Sequence, residues 1–310
     1  MTCVRPVFRH RSGGLLTLGL AASAVTLLLL GGRAPSSAPA ADAGGTRLAF
    51  SAFNGDEEIF TARPDGSDQR QLTRNSALDY DPAFSPNGDR IAFGSQRRGV
   101  DAIFTISASG TDERRVTTHN GAVADSQPAF SPDGKRIAIT RLRHKGQSGI
   151  FTMRADGSEG RQLTRKPGDE SPAYSPNGKR IAFDSRRTGQ FDIFTMRTDG
   201  SHVRRLTHDP ADDFNPAYSP NGKRIAFDSW RKGQSSIFTM RTDGSHLRRL
   251  THDSKADQFP AYSPAGDRIA FAGHRHGKYP VFTMRADGSD ERQLPFDTSS
   301  GPAWGRAPRQ

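Results

Sequence analysis

PAYSPNGKRIAF, running from Pro172 to Phe183, returns unchanged from Pro216 to Phe227. Looser copies begin at Pro82 (PAFSPNGDRIAF), Pro128 (PAFSPDGKRIAI) and Pro260 (PAYSPAGDRIAF), so the opening prolines stand 46, 44, 44 and 44 residues apart. A second phrase, IFTMRTDGS or a near variant, is centred on Phe60, Phe104, Phe151, Phe194, Phe238 and Phe282. Each copy is followed by a turn glycine, at Gly66, Gly110, Gly157, Gly200, Gly244 and Gly288. The chain therefore repeats one unit six times.

Each unit reads as four short strands. Ala-Tyr-Ser leads into Ser-Pro-Asn-Gly, a hairpin turn, and Arg-Ile-Ala-Phe follows as a strand of β-branched and aromatic residues. A looser loop reaches Ile-Phe-Thr-Met, and Asp-Gly turns the chain into Arg-Arg-Leu-Thr. No stretch of the period has a helix of useful length. A repeat of this size with four strands predicts a propeller blade, which buries both faces only when blades stack in a ring. Residues 46–72 supply the last three strands of a unit (Arg47 to Phe50, Ile59 to Arg63, Gln71 to Thr73) without its opening. That opening stands at the other end, as Gly301-Pro302-Ala303-Trp304-Gly305. The expected fold is an all-β, six-bladed β-propeller over 46–305, with blade one closed by the C-terminal strand and 306–310 left as a tail. Closure leaves no free inner edge.

Composition agrees with a single exported domain. The chain has 310 residues, a formal charge of +11, a mean hydropathy of -0.69 and one cysteine, which exclude a multi-span membrane protein and a disulfide scaffold. Arg5, Arg9 and Arg11 precede an apolar run from Leu15 to Leu30 and small residues ending Ala38-Pro39-Ala40. This order predicts a signal peptide over 1–40, or an N-terminal anchor if cleavage fails, with 41–45 as a short linker. Cys3 lies ahead of the apolar run, so it is not placed as a lipid-bearing cysteine. The expected location is periplasmic, cell-envelope or secreted.

PAYSPNGKRIAF followed by IFTMRTDGS and RRLT closely resembles the repeat of TolB-type (WD40-like) β-propellers, and the resemblance covers 46–305. It implies that fold and a binding role outside the cytoplasm. The periplasmic protein for which the repeat is named carries an additional N-terminal α/β domain and binds a peptidoglycan-associated lipoprotein. Here the apolar segment runs almost directly into blade one, so the expectation is a propeller without that domain.

Residues present in every unit build the blade. Phe84, Phe130, Tyr174, Tyr218, Tyr262 and Trp304 share one position, and Phe93, Phe183, Phe227 and Phe271 another; both rows are assigned to blade-to-blade packing. The arginine pairs Arg114-Arg115, Arg204-Arg205 and Arg248-Arg249 fall on the outermost strand, where charge guards an edge. A repeated acid is the first candidate site. Three residues before the blade-opening proline stand Asp79, Asp125, Asp169, Asp213 and Asp257, with Ser299 in the sixth unit. In a propeller these loops share one mouth of the central channel, so the acids predict either local caps of their own loops or a shared acidic ring able to hold a cation or a basic peptide.

The loops after the second strand open on the same face and are basic: Arg97-Arg98, Arg141 to Lys145, Arg186-Arg187, Arg231-Lys232 and Arg275 to Lys278. Acid inside and base outside is the expected pattern of that face. Departures from the repeat gather in the last blades as Trp230, His274, His276 and Tyr279, the expected contact residues. His208 and His252 follow the fourth strand, too far out for a shared zinc site. No metal or other cofactor is expected, and no catalytic constellation is evident. The reading is a non-enzymatic propeller that binds a protein or envelope component through one loop face. Nucleic acid is not an expected partner, and membrane contact is expected only if the N-terminal segment stays uncleaved. The alternative is a carbohydrate-active lyase or hydrolase using His274, His276 and Tyr279.

Overall fold

The computed structural model describes residues 45–308 apart from 120–122, 144–146, 232 and 254. The signal or anchor segment, Lys145, Lys232 and the last two residues of the tail lie outside the described residues. Among the described residues, twenty-four strands form six four-stranded antiparallel sheets. Blade 2 is β4(Asp79–Phe84), β5(Arg90–Ser95), β6(Ala102–Ser107) and β7(Arg114–Arg115). Blade 3 holds β8(Ala124–Phe130), β9(Arg136–Arg143), β10(Gln147–Arg154) and β11(Arg161–Gln162). Blade 4 holds β12(Asp169–Tyr174), β13(Arg180–Ser185), β14(Asp192–Arg197) and β15(Arg204–Arg205). Blade 5 holds β16(Asp213–Tyr218), β17(Arg224–Ser229), β18(Ser236–Arg241) and β19(Arg248–Arg249), and blade 6 holds β20(Asp257–Tyr262), β21(Arg268–Gly273), β22(Pro280–Arg285) and β23(Arg292–Asp297).

Blade 1 is built from both ends of the repeat region. Its order is β24(Ala303–Arg306), β1(Thr46–Asn54), β2(Asp56–Ala62) and β3(Arg70–Gln71), with Leu48 opposite Trp304 and Arg47 opposite Gly305. The ring thus shuts as the missing opening predicts. The outer strands are shorter than the sequence suggests, two residues in every blade but the sixth. The residue after them, Val116 in blade 2 and leucine in the other four, donates its N–H to the third strand, as Leu206 does to Ile193 O at 2.8 Å.

Ser-Pro-Asn-Gly forms the first hairpin as its chemistry dictates. In blade 2 the Gly88 N–H donates to Ser85 O at 2.9 Å, and Ser85 Oγ accepts from Arg90 N at 2.9 Å. Apolar residues of the second, third and fourth strands of one blade pack on the first three strands of the next. One such layer joins Ala226, Ile237 and Leu250 to Tyr262, Ile269, Phe271 and Phe282. Phe50, Phe93, Phe183, Phe227 and Phe271 are fully buried, each worth roughly 1.5–3 kcal/mol of transfer energy.

Each inner strand of blades 2–6 carries a bulge at the residue before its proline. Asp81, Gln127, Ser171, Asn215 and Phe259 have φ of 52, 52, 53, 52 and 57°, and the ladder slips there. The freed N–H groups bond to the neighbouring blade: Ser171 N to Thr140 Oγ1 at 3.0 Å, Asn215 N to Asp184 Oδ1 at 3.2 Å, and Phe259 N to Asp228 Oδ1 at 3.1 Å. Gln127 Nε2 also donates to Ser171 Oγ at 3.0 Å, and Ser171 Oγ to Asn215 Oδ1 at 3.2 Å. Equivalent residues of successive blades meet this closely only near the axis, so these side chains surround the inner ring.

Candidate functional site

The loops joining one blade to the next, and the loops between second and third strands, open on one face. The five repeated aspartates begin or nearly begin the inner strands there, and all five are wholly buried. Each is met by an arginine of its own blade. Arg97 reaches Asp79 at 3.2 Å, Arg141 Asp125 at 2.6 Å, Arg187 Asp169 at 2.7 Å, Arg231 Asp213 at 2.8 Å and Arg275 Asp257 at 3.0 Å.

The same guanidinium groups lie over the third-strand phenylalanines. Arg97 stands 4.5 Å from the Phe104 ring centre, Arg141 4.7 Å from Phe151, Arg187 5.0 Å from Phe194, Arg231 5.4 Å from Phe238 and Arg275 4.5 Å from Phe282. A ring below and a carboxylate beside fix each arginine, and Glu113, Asp209 and Asp253 approach the remaining edge of Arg97, Arg231 and Arg275. Each aspartate of the expected acidic ring thus has an arginine of its own blade in contact with it. Burial is the reason: a carboxylate enclosed by a blade needs its cation in contact, not across a mouth. Burial still pushes the Asp213 carboxyl above its ordinary range, and pushes Asp257 up to about 7 against the pull of Thr251 and Arg275. Arg275 is shared, with Asp253 at 2.9 Å and Glu291 at 3.8 Å as further partners.

Next to these pairs lies a rim of less regular side chains. The residue before the arginine donates its N–H to the incoming loop: Arg186 to Gly168 O at 3.2 Å, Trp230 to Asp212 O at 3.0 Å and His274 to Ala256 O at 2.7 Å. Trp230, His274 and Tyr279 are half-buried, whereas His276 is exposed. His274 and Tyr279 pack ring to ring at 4.9 Å. His276 sits apart from them, at φ 51° in a tight turn closed by Arg275 and Lys278, which exchange bonds of 2.8 and 2.9 Å. The rows expected to pack between blades do so, but two rim residues escape the sequence reading. Phe191 and Phe214 pack at 4.7 Å with Arg186 5.7 Å from the Phe191 ring. Phe191 holds in blade 4 the place of Tyr279 in blade 6, a departure from the repeat visible on alignment of the units. Blades 4, 5 and 6 thus present Arg186 with Phe191, then Trp230, then His274 with Tyr279. Among the described residues no group of three or more His, Cys, Asp or Glu side chains is placed to hold a metal ion.

Comparison with known proteins adds the family. Residues 31–127, 122–213 and 208–306 match the family described as TolB beta propeller domain. The chain belongs to this family. Over 106 residues it is 42% identical to a protein named TolB homolog from Chlorobium luteolum, an alignment covering 34% of this chain and 24% of that protein. Over 124 residues it is 32% identical to the Tol-Pal system protein TolB of Desulfosudis oleivorans, covering 40% and 27% respectively. These alignments span only about a quarter of each relative. The crystal structure of TolB from Acinetobacter baumannii superposes with a TM-score of 0.74 at 24% identity, covering 84% of this chain and 66% of that one, a likeness of fold.

Proposed function

We propose that this TolB-family propeller is an exported, non-enzymatic protein of the periplasm or cell envelope that binds a protein partner through the loop face of blades 4–6. The crescent of Arg186, Phe191, Trp230, His274 and Tyr279 carries the reading. It combines residue types that dominate protein contacts with side chains pinned by stacking and by braced backbone, so little rotamer freedom is lost on binding. Exposed Arg186 within it favours a partner surface with exposed carboxylates. A relative named for the Tol-Pal system supports an envelope assembly as the setting.

The test is capture from envelope extract on the immobilised protein. A salt-sensitive partner is expected, with Trp230→Ala or Tyr279→Ala each weakening it by a factor of 30 or more, about 2 kcal/mol at a hot spot. Recovery no greater than from a scrambled-loop control would overturn the proposal. Turnover of a glycan by the wild type that His274→Ala abolishes would replace it with the enzyme reading.

A further inference from the structure

The opposite face carries a second, unrelated departure from the repeat. There the last residue of the third strand lies across from the first of the second strand, which sets two arginines side by side in four blades: Arg136 opposite Arg154, Arg180 opposite Arg197, Arg224 opposite Arg241 and Arg268 opposite Arg285. Like charges directly opposed across a ladder repel. Blades 3 and 6 answer this with an acid in the adjoining turn. Glu159 takes Arg154 at 2.8 Å and Arg136 at 3.5 Å, and Asp290 takes Arg268 at 2.9 Å and Arg285 at 3.9 Å. Asp68 and Asp112 fill the same left-handed position in blades 1 and 2, each within 3.0 Å of two arginines.

Blades 4 and 5 have His202 and His246 there instead, at the same φ of 54°. Their rings turn back onto the turn, with Nδ1 2.9 Å from Ser201 Oγ and Ser245 Oγ. The acids nearest by, Asp199 and Asp243, are bound to the N–H groups of Ser201 and Ser245 at 2.8 and 2.9 Å. Among the described residues no carboxylate lies within ion-pair distance of Arg180, Arg197, Arg224 or Arg241. Lys179 and Lys223 add exposed charge beside them. Directly after each histidine comes an exposed aliphatic residue, Val203 at 40% and Leu247 at 44% accessibility, where the other blades place Gln69, Glu113, Gly160 and Glu291. Arg204 donates to Asp243 O at 2.9 Å, holding the blade 4 edge to the blade 5 turn.

We propose that these two turns form a docking surface for an anionic phospholipid bilayer, with lipid phosphates taking the seats that Glu159 and Asp290 fill elsewhere. Two like seats on neighbouring blades match a ligand that presents its anion repeatedly in a plane. The paired aliphatic side chains match the apolar layer beneath the headgroups and have no use for a free anion. The surface lies on the face opposite the protein-binding crescent and is independent of it.

Vesicle co-sedimentation of the full chain tests this, comparing phosphatidylcholine vesicles with vesicles that also carry phosphatidylglycerol, whose negative surface attracts cations. Any attachment by the N-terminal segment is common to all variants. Wild type is expected to gain tenfold or more on the anionic vesicles, and to lose that gain in high salt. The double variant His202→Asp, His246→Asp restores the internal acid, so it should abolish the gain with an unchanged or raised melting temperature. Val203→Ser with Leu247→Ser should reduce it about threefold, in line with partial burial of two aliphatic side chains. The proposal is overturned by a wild type indifferent to phosphatidylglycerol, or by a gain that survives the two aspartates. Binding of a polyglutamate peptide without vesicle binding would assign the surface to a protein and equally overturn it.

Discussion

Blades 2 to 6 and blade 1 solve one packing problem with different chemistry. In the five continuous blades an arginine lies on a phenylalanine and neutralises a buried aspartate at the head of the inner strand. Blade 1 has Ser299 in the acid position and Asn54 in the arginine position. Phe296 stacks instead on Phe50 at 4.1 Å and 9°, with Phe60 behind at 5.8 Å. Hydroxyls replace the ion pair: Ser51 Oγ lies 2.6 Å from Ser300 Oγ, and Ser299 donates to Glu57 at 2.6 Å. An ion pair is therefore not a requirement of the blade. At the seam between the two ends of the repeat region, a ring stack and hydroxyl bonds, one of them to buried Glu57, stand where the other blades place arginine on aspartate.

The contrast breaks most severely at the seam itself. Deleting residues 302–310 removes β24, and the ring should lose most of the ~5–15 kcal/mol typical of a folded domain, read as a broad urea transition and rapid proteolysis. Next, Arg187→Ala leaves Asp169 buried without its cation and should cost about 3–5 kcal/mol, whereas Asp169→Asn with Arg187→Met should fall within about 1 kcal/mol of wild type. Equal losses from the single and double variants would show that the pair itself stabilises. Where blade 6 meets blade 1, Phe296→Ala should cost about 2 kcal/mol, less than a fully buried phenylalanine, and be insensitive to salt.

The last expected effect concerns pH. Since Asp257 is pushed from 3.8 up to about 7 by burial, the folded protein holds its proton more tightly than the unfolded chain. Its contribution is then complete below about pH 4 and is lost as pH rises to about 7. The melting temperature of wild type relative to Asp257→Asn should fall across that window and stay level above it. A flat difference would show that Arg275 keeps the carboxylate ionised throughout.

The fold was legible because hairpin chemistry and apolar spacing recur in register, and because the opening absent before Arg47 is present at Pro302. The acids and the basic loops were legible as residues but not as partners. Asp169 and Arg187 lie 18 positions apart, as do three of the other four pairs, and that spacing was the available signal. A polar residue in a loop reads as solvated until the Ser185 and Phe194 side chains around it are placed. His202 and His246 stand out as plainly, yet their meaning depends on the register that sets Arg180 beside Arg197, which only the paired strands reveal.

The strand that shuts the ring is made after the other strands described. Ala303 to Arg306 leave the ribosome, and cross any membrane, after all the other described strands, so the nascent chain carries an unsealed edge on β1 until they do. A copy cut short by premature termination cannot acquire the latch, and remains marked as unfinished to any protease that samples it.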